Sequence, residues 1–201
     1  MIHWPRTLKP FVLLAALAGA LALVPSASAG SCGVRTVSHP FAPWGDTNDY
    51  FALPDGGFEN SLFGWDRLAG DTWFGVNQPW LLNNQLTGYA SVRLPSGTQM
   101  ASRSFCAASD ENVIRFFVRN SGKPGSWLSV NAHVVTDEAI WDVQIGWFEG
   151  NTKAWSLSPS LYLWDAGSAS DRADVTLTFQ TGGTWGVWGI DDVYVDPFRT
   201  T

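Results

Sequence analysis

The sequence predicts an all-β fold, a jelly-roll β-sandwich of about nine short strands. Three observations carry this reading: a period-two alternation of apolar and polar residues, turn chemistry at regular intervals, and no amphipathic helix of ten residues or more. The alternation is clearest in Ala173-Asp174-Val175-Thr176-Leu177-Thr178-Phe179-Gln180, where odd positions are apolar and even positions polar. Leu128-Ser129-Val130-Asn131-Ala132-His133-Val134 repeats the pattern. Each reads as a half-buried strand, one side to a core and the other to solvent.

Taken in order, strands are expected at 63–69, 72–76, 88–94, 99–106, 113–120, 127–134, 139–148, 153–158, 173–180 and 186–195. Pro95-Ser96-Gly97, Ser121-Gly122-Lys123-Pro124-Gly125 and Thr181-Gly182-Gly183 punctuate them, because Gly and Pro supply the backbone angles that turns require. Many short strands at this spacing make a sandwich. Residues 30–56, rich in Pro, Gly and Asp, form an ordered lead-in, and 57–199 form the sandwich domain. Neither repeats nor low-complexity tracts interrupt it.

The first 29 residues carry a different signal. Arg6 and Lys9 precede an apolar run from Phe11 to Val24, followed by Ala27-Ser28-Ala29. That is the charged, apolar and small-residue order of a secretory signal cut after Ala29. The run falls short of the ~20 residues that cross a bilayer. Removal of Arg6 and Lys9 leaves ten basic against eighteen acidic residues, a net charge of −8. So acidic a chain lacks the footprint of a nucleic-acid binder. A secreted, extracellular protein without a transmembrane segment is the expectation. In an oxidising compartment the two cysteines, Cys32 and Cys106, read as one disulfide. It closes a loop of ~75 residues, which the chain-entropy account values at roughly 4 kcal/mol. Two Cys and two His beyond the signal are too few for a Cys/His zinc site.

Strand parity points to a ligand surface. In 113–120, Ile114, Phe116 and Val118 share one side, leaving Arg115, Phe117 and Arg119 on the other. In 127–134 the side opposite the core holds Trp127, Ser129, Asn131 and His133. A six-residue Gly/Pro connection suggests a hairpin, which would place these outer sides next to each other. Sugars combine an apolar C–H face with a hydroxyl rim. An indole beside amide, imidazole and guanidinium groups suits both parts. The competing expectation is that Phe117 and Trp127 lie under a covering loop and that the arginines pair with acids. Trp73 and Trp80 make a second candidate site, Trp80 as an exposed apolar tip after Pro79. Trp65, Trp155 and Trp188 are expected in the core, and so are Trp141 and Trp147, which share parity with Val143 and Ile145.

Gly56-Gly57-Phe58-Glu59 with Gly64-Trp65, and Trp188-Gly189-Ile190-Asp191-Asp192-Val193-Tyr194-Val195, resemble the first and last strands of galactose-binding-like jelly rolls. These include carbohydrate-binding modules found beside xylanases and cellulases. Cys32-Gly33, Pro43-Trp44-Gly45-Asp46, Arg115-Phe116-Phe117 and Asp191 to Phe198 also resemble a group of secreted actinobacterial proteins without an assigned function. The resemblance implies a structural calcium ion held by Glu59 with Asp191 or Asp192. Carboxylates with backbone carbonyls are the ligands that such a hard cation takes. The alternative is that the two aspartates are solvated or bonded to backbone.

Enzymatic signatures are sparse. A glycosidase needs two carboxylates facing one bond. Only Glu59, Glu111, Glu138 and Glu149 are present as glutamates, and most look like loop acids. No G-x-S-x-G elbow, H-E-x-x-H or phosphate loop occurs. The first expectation is therefore a non-catalytic module, a monomer whose partner is a polysaccharide or cell-surface glycan. A structural or interaction protein of the cell envelope is the alternative, and a small jelly-roll glycosidase or lyase is a third.

Overall fold

The computed structural model describes residues 32–80, 82, 88–150, 153–164 and 172–196. The secretory signal expected at 1–29 and the last residues of the chain lie outside them. Among the described residues the chain forms two antiparallel sheets packed face to face. Its strands are β1 (Phe51–Ala52), β2 (Trp65–Ala69), β3 (Trp73–Val76), β4 (Ala90–Pro95), β5 (Gln99–Ser102), β6 (Phe105–Ala108) and β7 (Val113–Asn120). They continue with β8 (Ser126–Val135), β9 (Ile140–Glu149), β10 (Ser156–Leu157), β11 (Leu161–Tyr162), β12 (Arg172–Gly183) and β13 (Val187–Asp196). A seven-stranded sheet runs β10-β7-β13-β4-β3, with β1 beside β13 and β11 beside β7. A six-stranded sheet runs β2-β5-β12-β8-β9, with β6 beside β12. The chain crosses between sheets at β1–β2, β2–β3, β4–β5, β6–β7, β7–β8, β9–β10, β11–β12 and β12–β13, the connectivity of a jelly roll.

The alternation seen in the sequence is what builds the core. Val175, Leu177 and Phe179 from β12 meet Leu128, Val130, Ala132 and Val134 from β8, all fully buried. Across the sandwich they face Ile114, Phe116 and Val118 of β7, with Trp188, Ile190 and Val193 of β13. Trp65 and Trp188 lie in this core as the sequence suggests, at 5% and 3% exposure.

Three expectations change. The strand expected over 99–106 breaks into β5 and β6, which pair in turn along β12. Short bridges β1 and β11, too brief to alternate, add to the count, and the strand expected at 153–158 contracts to β10. More consequential, β7 and β8 are not a hairpin: they belong to opposite sheets. β8 pairs with β12 on one side and β9 on the other, so neither of its edges is free for β7. β7 is itself flanked by β13 on one side and by β10 and β11 on the other. The connection after Asn120 instead carries the chain across the end of the sandwich. Asn120 Oδ1 accepts from the backbone N–H of Gly122 and Lys123, and its Nδ2 donates to Ser126 Oγ at 2.9 Å.

The lead-in is clipped to the domain by the Cys32–Cys106 disulfide. Arg35 reinforces the clip. It pairs with Glu111 at 3.2 Å, donates to the Cys106 carbonyl and lies 4.3 Å over the Phe51 ring. Cys32→Ser/Cys106→Ser is expected to lose about 2–4 kcal/mol in equilibrium denaturation, since the open chain regains the entropy of a long loop. An unchanged midpoint would mean that Arg35 and its contacts hold the lead-in without the bridge.

Candidate functional site

The outer side of the seven-stranded sheet is covered. Phe117 is fully buried there, beneath Trp80 stacked at 5.1 Å and 29°, Trp44 at 5.1 Å and Phe41 at 5.8 Å. With Tyr50, Leu82 and Tyr194 they make a second small core. The lead-in delivers Phe41 and Trp44 through a single 3-10 turn over Ala42–Trp44, which ends where Gly45 takes φ of 80°, while Trp80 comes from the loop after β3. Phe117 therefore cannot touch a ligand, contrary to the first of the two readings above. Trp80 is not an exposed tip. Its backbone N–H is held by Gln78 Oε1 and its ring is folded onto Phe117, because burying an indole on a phenyl face outweighs leaving it in water. Arg115 is committed to the same cover. It is ion-paired with Asp46 and donates to the Ser158 carbonyl at 2.8 Å and 3.2 Å. Burial raises the Asp46 carboxyl, but hydrogen bonds from Tyr50, Arg115 and Asn48 outweigh it and hold the group below its usual value.

Beyond that cover, Arg93 and Arg119 lie 5.4 Å and 5.6 Å over the Trp155 ring. Trp155 packs against the second core and is only half-buried, rather than a member of the main core. Trp73 stands on β3, 45% exposed and paired in register with Arg93.

Below the lead-in, Asp196 accepts from Asn48 Nδ2 at 3.0 Å. Burial, and then the charge of Asp46 and of Asp49, push its carboxyl up to about 6. An unfolded aspartate titrates near ~3.9, so the folded chain holds this proton more tightly. The contribution is present below about pH 4 and lost as pH rises through about 6. Asp196→Asn is expected to flatten the stability profile between those values. Parallel pH profiles of the denaturation midpoint would refute it.

The outer side of the six-stranded sheet is open. Trp127, Asn131 and His133 lie on it, as parity indicates, and β9 supplies their neighbours through the pairs Ser129 with Trp147, Asn131 with Gln144 and His133 with Asp142. Trp147 is 49% exposed and stacks on Trp127 at 4.9 Å and 22°. The Trp127 indole lies flat over Gly182, where an added Cβ would come within 2.2 Å of its ring. A shallow depression of about 350 Å³ beside this platform is lined by Gln99, Asn131, Asp142, Gln144, Thr178 and Gln180. His133 Nδ1 lies 2.8 Å from Asp142 Oδ1, and Asn131 Nδ2 donates to Ser129 Oγ at 3.1 Å. Among the described residues, the side chains of Gln99, Gln144, Thr178 and Gln180 make no hydrogen bond within the protein. A row of unengaged amides beside a flat indole pair offers donors, acceptors and an apolar plane to one bound molecule.

Trp147 was expected in the core, and the reason it is not is local. The β8–β9 register shifts between Val130 and Asn131, leaving Ile145 as an extra residue on β9. Such a bulge inverts the alternation beyond it. Trp141, Val143 and Ile145 pack inward before the shift, while Phe148 packs inward after it. The polar row on β12 was readable: Thr176, Thr178 and Gln180 are the even positions of that strand. Nothing in the run of residues marks the bulge except Gly146.

Of the residues expected to bind calcium, Glu59 and Asp192 line one cavity, whereas Asp191 faces the Gln78 backbone. A second bulge, between Asp191 and Tyr194 of β13, turns the aspartates toward the loops. Asp191 is fully buried. It accepts from the Gln78 backbone at 3.0 Å, and Asp192 accepts from Gln78 Nε2 at 2.9 Å. Glu59 Oε1 accepts from the backbone N–H of Tyr89 and Ala90. Burial raises both aspartate carboxyls, further helped by Asp192 acting on Asp191 and by Glu59 acting on each. Gly57 lies between them: a Cβ there would be 3.3 Å from Asp192 Oδ1 and 3.9 Å from Glu59 Cγ. Among the described residues no three Asp, Glu, His or Cys side chains converge closely enough to hold a metal, so a cation here would take backbone or amide oxygens as well. Asp55, Asn60, Asn77 and Gln78 line the adjoining cavity of about 310 Å³ with Glu59 and Asp192.

No protein-family profile matches the chain, and no curated protein matches it. Among solved structures it is similar to TmCBM61 in complex with β-1,4-galactotriose, with 17% identity and a TM-score of 0.46 over 72% of this chain and 96% of that one. It is also similar to the family 11 carbohydrate-binding module from Clostridium thermocellum in complex with a β-1,3-1,4-mixed-linked tetrasaccharide, at 13% identity and a TM-score of 0.45 over 73% and 95%. A third is the K3 cleaved adhesin domain of Lys-gingipain from Porphyromonas gingivalis, at 14% identity and a TM-score of 0.47 over 72% and 99%. The likeness lies in the two-sheet architecture, which the strand pairing of this chain establishes by itself.

Proposed function

We propose that this protein is a secreted, non-catalytic carbohydrate-binding module whose ligand lies across the outer side of the six-stranded sheet. The observation that carries the reading is the exposed Trp147, stacked on Trp127 and bordered by the amides of Gln144 and Gln180, which make no hydrogen bond among the described residues. A pyranose ring laid on Trp147 would desolvate its C–H face, while Asn131, Gln144 and Gln180 reach its hydroxyls. His133 and Asp142 extend the polar rim, and Trp73 belongs to a different face. Secretion is supported by the character of the first 29 residues and by a disulfide that an oxidising compartment maintains. The test is retention on insoluble polysaccharides and calorimetry against soluble glucans, xylans, galactans and mannans. Folded protein that binds none of them would end the proposal.

A structural calcium ion belongs to the same proposal. Glu59 and Asp192 would hold it, with oxygens of the surrounding loops completing the shell, and Asp191 would orient Gln78 behind it. Bound, it would neutralise carboxylates that otherwise repel one another in a buried place. Calcium at ten times its dissociation constant is expected to add about 1.4 kcal/mol of stability, read as a higher melting temperature than in chelator. Identical midpoints in the two conditions would dismiss the ion.

A further inference from the structure

On the outer side of the seven-stranded sheet, past the edge of the aromatic cover, one rung of the ladder carries Trp73 of β3, Arg93 of β4, Gly189 of β13 and Arg119 of β7 in register. Residues directly opposite one another share a face, so both arginines stand on the same side as Trp73. Gly189 lets them meet. A Cβ there would collide with Arg93 Nη1 and come within 2.8 Å of Arg119 Cγ and 3.1 Å of Trp155 Cη2. Gly75 clears the opposite flank, where a Cβ would collide with Arg93 Nε. The Arg93 guanidinium thus lies flat across the sheet between two stretches of bare backbone, the close approach that a strand glycine permits.

Arg93 is 9% exposed, and only its Nη2 is engaged, donating to the Val76 carbonyl at 3.0 Å. Arg119 makes no hydrogen bond, and neither arginine makes an ion pair, among the described residues. Both lie over the half-buried Trp155 ring instead. An aromatic ring attracts a cation but brings no opposite formal charge, so two positive groups remain side by side. Burial, and then the charge of Arg119, lower Arg93 to about 10, while Asp191 acts the other way. Asp191 does not touch them, being fully buried and bonded to the backbone N–H groups of Gln78 and Asp192. Arg115, on the same face, shows the usual solution, a guanidinium paired with a carboxylate, here Asp46. Among the described residues, the unpartnered side-chain atoms sealed from solvent belong to Asp55, Trp188 and Asp196. The free nitrogens of Arg93 and Arg119 therefore keep contact with water.

Two guanidiniums converging over one glycine form a donor set for an oxyanion, and their planar forks match a carboxylate best. Trp73, 45% exposed, stands one strand spacing from Arg93, about 5 Å, and offers an apolar plane beside the charged spot. A ligand that answers both parts has a carboxylate on a ring with an apolar face. With ten basic and eighteen acidic residues beyond the signal, the chain would repel a densely charged polyanion and tolerate one with a single charge per unit.

We propose that Arg93 and Arg119 bind the carboxylate of a uronic-acid residue in an acidic polysaccharide, whose sugar ring packs on Trp73. This site lies on the opposite sheet from Trp147 and does not depend on the sugar surface described above.

The probes are sodium galacturonate and glucuronate, their neutral counterparts galactose and glucose, and trigalacturonate, followed by intrinsic tryptophan fluorescence and saturation-transfer NMR. Each uronate that binds is expected to do so at least tenfold more tightly than its neutral counterpart, and less tightly as salt is added. Arg119→Gln is expected to weaken it about tenfold or more, the loss of hydrogen bonds between charged groups, with little change in melting temperature. Arg119→Lys keeps the charge without the fork and is expected to fall between. Trp147→Ala is expected to leave uronate binding intact, so the two surfaces fail or stand separately. Folded protein that binds no uronate, binds acid and neutral sugars alike, or is indifferent to Arg119→Gln would overturn the proposal. Sulfate or inorganic phosphate binding as tightly as the uronates, and equally weakened by Arg119→Gln, would overturn a sugar acid as the ligand.

Discussion

Trp147→Ala is expected to remove polysaccharide binding and to leave the domain folded. Exposed indoles at the centre of a binding surface are the residues whose truncation costs 2 kcal/mol or more, which is about thirtyfold in affinity. On the stability side the change removes one stacked contact, with Trp127 at 4.9 Å. Such pairs contribute ~0.5–1.5 kcal/mol, so the melting temperature should fall by only a few degrees in a domain this size. Calorimetric titration and thermal melting of the same preparation check both parts. If binding persists and stability falls by several kcal/mol, Trp147 is a packing residue and the sheet face loses its platform. Trp127→Ala should behave similarly but cost more stability, because Trp127 also covers Gly182.

Phe117→Ala should show the reverse. Phe117 is fully buried with three aromatic rings against it, so truncation leaves a cavity that those rings cannot collapse to fill. The expected cost is about 3–5 kcal/mol in denaturant unfolding. Affinity for polysaccharide should stay within a factor of two or three at temperatures where the variant is folded, since the ring lies on the opposite sheet from Trp147. A large loss of affinity with little loss of stability would mean that the aromatic cover opens and that this face takes part in binding after all.

How far the sequence could be read depended on what each feature required. Alternation in β7, β8 and β12 was legible because each buries one side and wets the other, so hydrophobicity alone assigns Phe116, Val130 and Leu177 to the core. The cysteine pairing was legible because there was one way to pair two. The partnership of β7 and β8 was not, because a short Gly/Pro connection serves equally for a hairpin and for a crossing between sheets. What decides is which edges β12, β9 and β13 occupy, a property of the whole fold. That error joined Arg115, Phe117 and Arg119 to Trp127, Asn131 and His133, which the structure separates. The cover over Phe117 was hidden for a related reason. Trp44 and Trp80 are distant in sequence from Phe117, and only the folded lead-in and the loop after β3 bring them onto it. Trp147 escaped because one extra residue in β9 reverses the count. The acidic cluster was suggested by resemblance, and the bulge that gathers it was not visible in Asp191-Asp192 alone.

The disulfide has a consequence for how the domain would bear load. Tension arriving from the N-terminal side meets Cys32 and passes through the sulfur atoms directly to Cys106 in β6. Everything between, including the lead-in with Trp44, the stacked Trp80 and Glu59, lies inside a covalently closed loop and is slack to that pull. The force therefore enters the six-stranded sheet at the edge of β12, the strand that bears Thr178 and Gln180. A protein tethered upstream and gripping a polymer downstream would be stretched across the strands of its own binding sheet, with the aromatic cover on the far side shielded from the strain.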